Sequence, residues 1–95
     1  MYRVEISFKT ENISNDTIER ISTETDKIFA ERNLQCCKKG IGKRVYIEKG
    51  AKNDYGNFWS AFFALKGSPW FIDNVTECMW YNETPKDLIT GFLKA

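Results

Sequence analysis

Phe58-Trp59-Ser60-Ala61-Phe62-Phe63-Ala64-Leu65 contains one polar side chain, Ser60, in eight residues. An apolar run of this length fits either a strand buried on both faces or a short buried helix. Before it, Gly50 to Asn57 have the Gly, Asn, Asp and Lys content of a loop; after it comes the turn Lys66-Gly67-Ser68-Pro69. The expected conformation is a central strand, with the buried helix as the alternative. The next segment depends on that choice. Val75, Thr76, Trp80 and Tyr81 favour a strand from Val75 to Tyr81, led in by an Asp73-Asn74 turn and paired with 58–65. Ser68 followed by Pro69 is also a helix-start signal, and the alternative makes residues 69–82 helical.

On the N-terminal side the patterns are plainer. Tyr2, Val4, Ile6 and Phe8 alternate with Arg3, Glu5, Ser7 and Lys9, the period of a strand with one buried face. Ser14 suits a helix N-cap, and Ile18, Ile21, Thr25 and Ile28 fall on one face of the helix that follows. Asn33 suits its left-handed end. Leu34 to Lys38 and Lys43 to Lys49 read as a hairpin joined through Gly40-Ile41-Gly42. At the C-terminal end, Thr84 and Pro85 predict a helix start, with Leu88, Ile89, Phe92 and Leu93 as its apolar stripe. The order is therefore β-α-β-β-β-β-α over one domain, residues 1–95. The expected architecture is an α+β two-layer sandwich: a mainly antiparallel sheet with helices on one face.

The net charge of +1 conceals an uneven distribution. Residues 1–33 carry five basic and seven acidic side chains, residues 34–52 six and one, and residues 53–95 three and five. A basic middle is flanked by acidic ends, which matters to an electrostatic partner. The N-terminus opens directly on a strand pattern and no apolar run is long enough to cross a bilayer, so a cytoplasmic protein without a membrane partner is expected. Three cysteines, two of them adjacent (Cys36, Cys37, Cys78), point to reduced thiols and not to a disulfide framework.

The chain has no histidine, which removes Ser-His-Asp triads, Cys-His dyads and histidine metal ligands together. Gly40-Ile41-Gly42-Lys43 lacks the spacing of a phosphate loop, and no Cys-x-x-Cys occurs. No catalytic residue, metal or cofactor is expected, and the protein is read as a binder and not an enzyme. Two constellations qualify for binding. One is the basic hairpin, with Lys38, Lys39, Lys43 and Arg44 able to follow a nucleic-acid backbone or simply to stay solvated beside an edge strand. The other is the aromatic C-terminal half, which includes Tyr55, Phe58 and Trp59. Phe58, Phe62 and Phe63 are assigned to the core. Trp70, Trp80 and Tyr81 stand at turn and linker positions, with Asp73, Glu77 and Glu83 near them in sequence. Aromatic anchors with adjacent carboxylates suit a basic protein surface. Cys36-Cys37 beside Lys38 and Lys39 could form a redox sensor, although one buried and one exposed cysteine on a strand is the simpler account.

In size, in its Asn-, Lys- and Ile-rich composition, and in the aromatic-acidic stretch Trp80-Tyr81-Asn82-Glu83, the chain resembles the small immunity proteins of bacterial contact-dependent growth inhibition systems. The resemblance is one of type and carries over no individual residue. It implies an inhibitory protein that occludes the functional surface of a protein partner, a bacterial toxin. The alternative is a small nucleic-acid-binding or regulatory module using the hairpin of residues 34–52.

Overall fold

Alternation places Val4, Ile6 and Phe8 on one side of β1 (Arg3–Phe8), and all three are buried. In the computed structural model, which describes all 95 residues, this strand is the centre of a five-stranded antiparallel sheet. The other strands are β2 (Gln35–Gly40), β3 (Lys43–Ile47), β4 (Val75–Tyr81) and β5 (Pro85–Asp87), in the order β2-β3-β1-β4-β5. Helices α1 (Asn15–Ala30), α2 (Asp54–Lys66) and α3 (Pro69–Ile72) cover the face that carries Val4 and Ile6. The result is the α+β two-layer sandwich expected from the sequence.

Topology explains why the helices share one layer. β1 runs antiparallel to both β3 and β4, so β3 and β4 are parallel to each other with β1 between them. Parallel strands need a crossover connection, and α2 with α3 supplies it. β1 and β2 are likewise parallel across β3, and α1 is their crossover.

Local chemistry sets the ends of α1. Ser14 Oγ accepts from Thr17 N at 3.2 Å. Asn33 takes a left-handed φ of 59°, and Leu34 N donates to Phe29 O at 3.0 Å while Asn33 N donates to Ala30 O at 3.1 Å. That pair of bonds is the Schellman closure of a helix. In the hairpin turn Gly42 has φ 67° and its carbonyl accepts from Phe8 N at 2.8 Å. A Cβ there would lie 2.7 Å from Thr10 Cγ2, so the turn is locked against the end of β1.

Three segments differ from expectation. Residues 58–65 are helical: Asp54, Phe58, Ala61, Phe62 and Leu65 are buried at helical spacing. The run has no β-branched residue, and its two alanines and one leucine favour a helix, so the strand preference of its aromatic rings does not decide the conformation. Residues 69–82 divide between the short helix α3 and the strand β4, and β4 pairs with β1, not with 58–65. The sheet position vacated by 58–65 is filled from the C-terminal end. Pro85 does not begin a helix; it pairs with Tyr81 at the start of β5, an edge position where its missing N–H costs no ladder bond. The helical signal lands further on, where Asp87 Oδ1 accepts from Ile89 N at 2.9 Å and Ile89–Leu93 form a π-helical turn. Leu88 and Leu93 are buried from that stripe.

The core is rich in rings. Phe29 stacks on Tyr46 with centroids 3.9 Å apart, and Trp80 packs against Phe58 and Phe62 at 4.9 and 5.0 Å. No helix is long and apolar enough to cross a membrane.

Candidate functional site

A helix that is apolar on more than one face must either be enclosed or present apolar surface to its surroundings. α2 does the second. Its inner face is the core set just described. A second stripe, Tyr55, Trp59 and Phe63, runs beside it at intervals of four residues. Phe63 is 62% exposed and Tyr55 46%. Phe92, from the C-terminal π-helix, extends the stripe sideways: its ring meets Phe63 and Trp59 edge-on, at 5.0 and 5.4 Å. Tyr55 leans on Tyr2 at 5.5 Å; Tyr2 stacks on buried Trp80 at 5.7 Å, and Tyr55 meets the same indole at a steep angle. Phe63, Phe92 and Trp59 form one aromatic cluster and Tyr55 with Tyr2 another, the two joined through buried Trp80 beneath them.

Its border is mainly basic. Lys66 Nζ donates to the Phe92 carbonyl and stands 4.8 Å from the centroid of the Phe92 ring. Lys86 Nζ lies 5.9 Å from the Trp59 ring. Beside Tyr55 and Trp59 is a cleft of about 230 Å³ walled by the Asn82-Glu83-Thr84 hairpin loop and Lys86. The indole N–H of Trp59 is shielded from solvent and has no acceptor within the chain.

The residues proposed from sequence do not gather into one site. Trp80 is 3% exposed and belongs to the core, because β4 turns it toward α2; it serves as the floor of the aromatic surface and not as an anchor on it. Glu83 is exposed at the rim of the cleft above it. Tyr81 and Glu77 alternate with Trp80 and therefore point to the opposite face of the sheet. Trp70 is partly buried at the other end of the helical layer, lining a cleft with Arg20 and Glu24 of α1, and Asp73 is exposed at the end of α3. Phe63, assigned to the core in the strand reading, is the most exposed ring of the surface. The interval 55–59–63 was a usable signal, but only once the segment is taken as a helix.

The basic hairpin is divided between two faces by strand alternation. Arg44 is 4% exposed: its Nε donates to Asp26 Oδ1 at 3.1 Å and its Nη1 to the carbonyls of Gly40 and Lys43 at 2.9 Å each. Lys39 also approaches Asp26, at 3.7 Å. Arg44 is thus a structural ion, and only Lys38 and Lys43 of the four face outward on the other side. The Tyr46 hydroxyl donates to Asp26 Oδ1 at 2.5 Å, and burial together with this bond pushes the phenol far above its ordinary range. Burial likewise raises the thiol of Cys78. Cys36 is partly buried and Cys37 exposed. No three Cys, Asp or Glu side chains converge as metal ligands.

Compared with protein-family models, with curated proteins and with solved structures, the chain finds no match.

Proposed function

We propose that this protein binds a protein partner through the aromatic face of α2 and the C-terminal π-helix, and that it acts as an inhibitor of immunity type by covering the partner's functional surface. The observation that carries this reading is the exposure of Phe63 and Tyr55 in two ring clusters that share Trp80 as their floor. Aromatic side chains gathered on a rigid helix supply large contact area at little entropic cost, the usual character of interface anchors. The rim defines the partner's chemistry. Lys66 and Lys86 border the rings, so the complementary surface is an apolar depression edged with carboxylates. The basic hairpin supports nucleic-acid binding less well, since Arg44 is buried against Asp26 and strand alternation puts Lys39 on a different face from Lys38 and Lys43.

The test is whether a toxin-like reading frame lies beside this one and whether its product, once purified, is captured and neutralised by the protein. Phe63→Ala is expected to weaken the complex by about 2 kcal/mol, roughly thirtyfold, and Phe63→Glu to abolish both complex and protection. Both variants should unfold at the wild-type temperature. Undiminished binding by Phe63→Glu and Tyr55→Ala would remove the aromatic face from the interface.

A further inference from the structure

We propose that the uncovered face of the sheet is a homodimer interface, in which two copies stack sheet on sheet about a two-fold axis running along β1. This surface lies on the opposite side of the molecule from the aromatic face and is argued independently of it. The register determines its layout. Arg3, Glu5 and Ser7 of the central strand lie on it. On the β3 side Ile47 and Val45 stand beside Arg3 and Glu5; on the β4 side Tyr81 and Met79 do. All four flanking side chains are partly buried, so the middle of the face is an apolar band crossed by one ion pair.

The charges outside this band are what select the occupant. Lys43 stands level with Ser7 on the β3 side, and Lys38 level with Val45 on β2. On the other side Glu77 is level with Ser7, and Asp87 with Met79 on β5. All four are exposed. One flank is therefore basic, the other acidic, and the two are matched row by row. Rotation by half a turn about β1 exchanges the flanks and keeps the rows. It sets Lys43 of one copy against Glu77 of the other and Lys38 against Asp87, each twice. The same rotation lays Ile47 against Tyr81 and Val45 against Met79. A half-turn about the perpendicular in-plane axis would instead oppose like charges. A face with this antisymmetry is complementary to itself, the property an isologous dimer requires. Stacked sheets stand about 10 Å apart, close enough for such side chains to meet.

The central ion pair lies on the axis, where Arg3 and Glu5 each face their own counterpart in the other copy, so the intrachain pairing is what offsets their charges. Arg3 Nε is 2.9 Å from Glu5 Oε2, and the guanidinium carbon lies 3.9 Å from the centroid of Tyr81. Each pair is neutral as a unit. Stacking on Tyr81 draws each guanidinium toward β4, so in the dimer the two arginines fall on opposite sides of the axis.

The experiment is sedimentation velocity of the full chain across a concentration range, for wild type, Lys43→Glu, Glu77→Lys and an equimolar mixture of the two variants. Wild type is expected to dimerise, more weakly as salt rises. Each variant alone opposes like charges at two symmetric places and should associate roughly 100-fold more weakly. In the mixture every such contact again joins opposite charges, so a heterodimer should form where neither variant self-associates. A change in fold would not be repaired by mixing, and circular dichroism checks the fold of each variant directly. The pair Lys38→Glu and Asp87→Lys repeats the design at the second row and decides the matter if a first-row variant fails to fold. A wild type that stays monomeric throughout, reversals that leave association unchanged, or a mixture that associates no better than its components would each overturn the proposal.

Discussion

Helices α1 and α2 lie in the same layer over the same sheet, yet they divide their surfaces differently. α1 buries Ile18, Ile21, Thr25 and Phe29 and turns Glu19, Glu24, Lys27 and Glu31 outward. α2 buries Phe58, Ala61, Phe62 and Leu65 and still turns Tyr55 and Phe63 outward. The first is a helix whose outer face needs only water. The second carries apolar surface beyond what its own core uses. Within a domain of this size that difference separates a face built for stability from one built for contact.

The contrast is sharpest between adjacent residues of α2. Phe62→Ala should cost about 3–5 kcal/mol of stability in chemical denaturation, because it empties a fully enclosed site between α2 and Trp80. Phe63→Ala should change stability by no more than about 0.5 kcal/mol while weakening the complex. If the two variants were equally destabilised, Phe63 would be core and the contrast between the helices would fail.

Of intermediate size is the one point where α1 holds a buried charge. Asp26→Ala removes the counter-charge of Arg44 and the acceptor of its Nε and of the Tyr46 hydroxyl, and should cost about 3 kcal/mol. Two buried groups, the Tyr46 phenol of this cluster and the Cys78 thiol of β4, respond to alkali. Tyr46 and Cys78 hold their protons more tightly folded than unfolded, so their contribution is complete below the unfolded values. Stability should therefore decline as pH rises through about 8.5 for the thiol and about 10 for the phenol. Tyr46→Phe should flatten the second part of that decline and Cys78→Ala the first, as read from denaturation midpoints across pH 7 to about 11.

The smallest effect belongs to the outer face of α1. Glu24 meets Lys27 at 3.2 Å with both side chains well exposed. Glu24→Ala should alter stability by less than about 0.5 kcal/mol and leave partner binding unchanged. A measurable loss of binding would give α1 a share in the interface and weaken its contrast with α2.

What could be read along the chain follows the range of the forces involved. The strand at β1, the capped helix α1 and the left-handed Asn33 depend on neighbours within a few residues, and the sequence alone was sufficient for each. It was sufficient also for the α+β class, since strand and helix patterns both occur along one short chain and leave few layer arrangements. Residues 58–65 were different, because a run apolar on every side has no period to reveal; the tertiary structure made it a helix by requiring a crossover between parallel β3 and β4. Pro85–Asp87 became a strand only because β4 offered an open edge. Arg44 became a buried ion only because the fold brings Asp26, eighteen positions away, to meet it. The aromatic surface has the same origin: once α2 lies along the sheet, its geometry leaves Phe58 and Phe62 inside and Tyr55 and Phe63 outside.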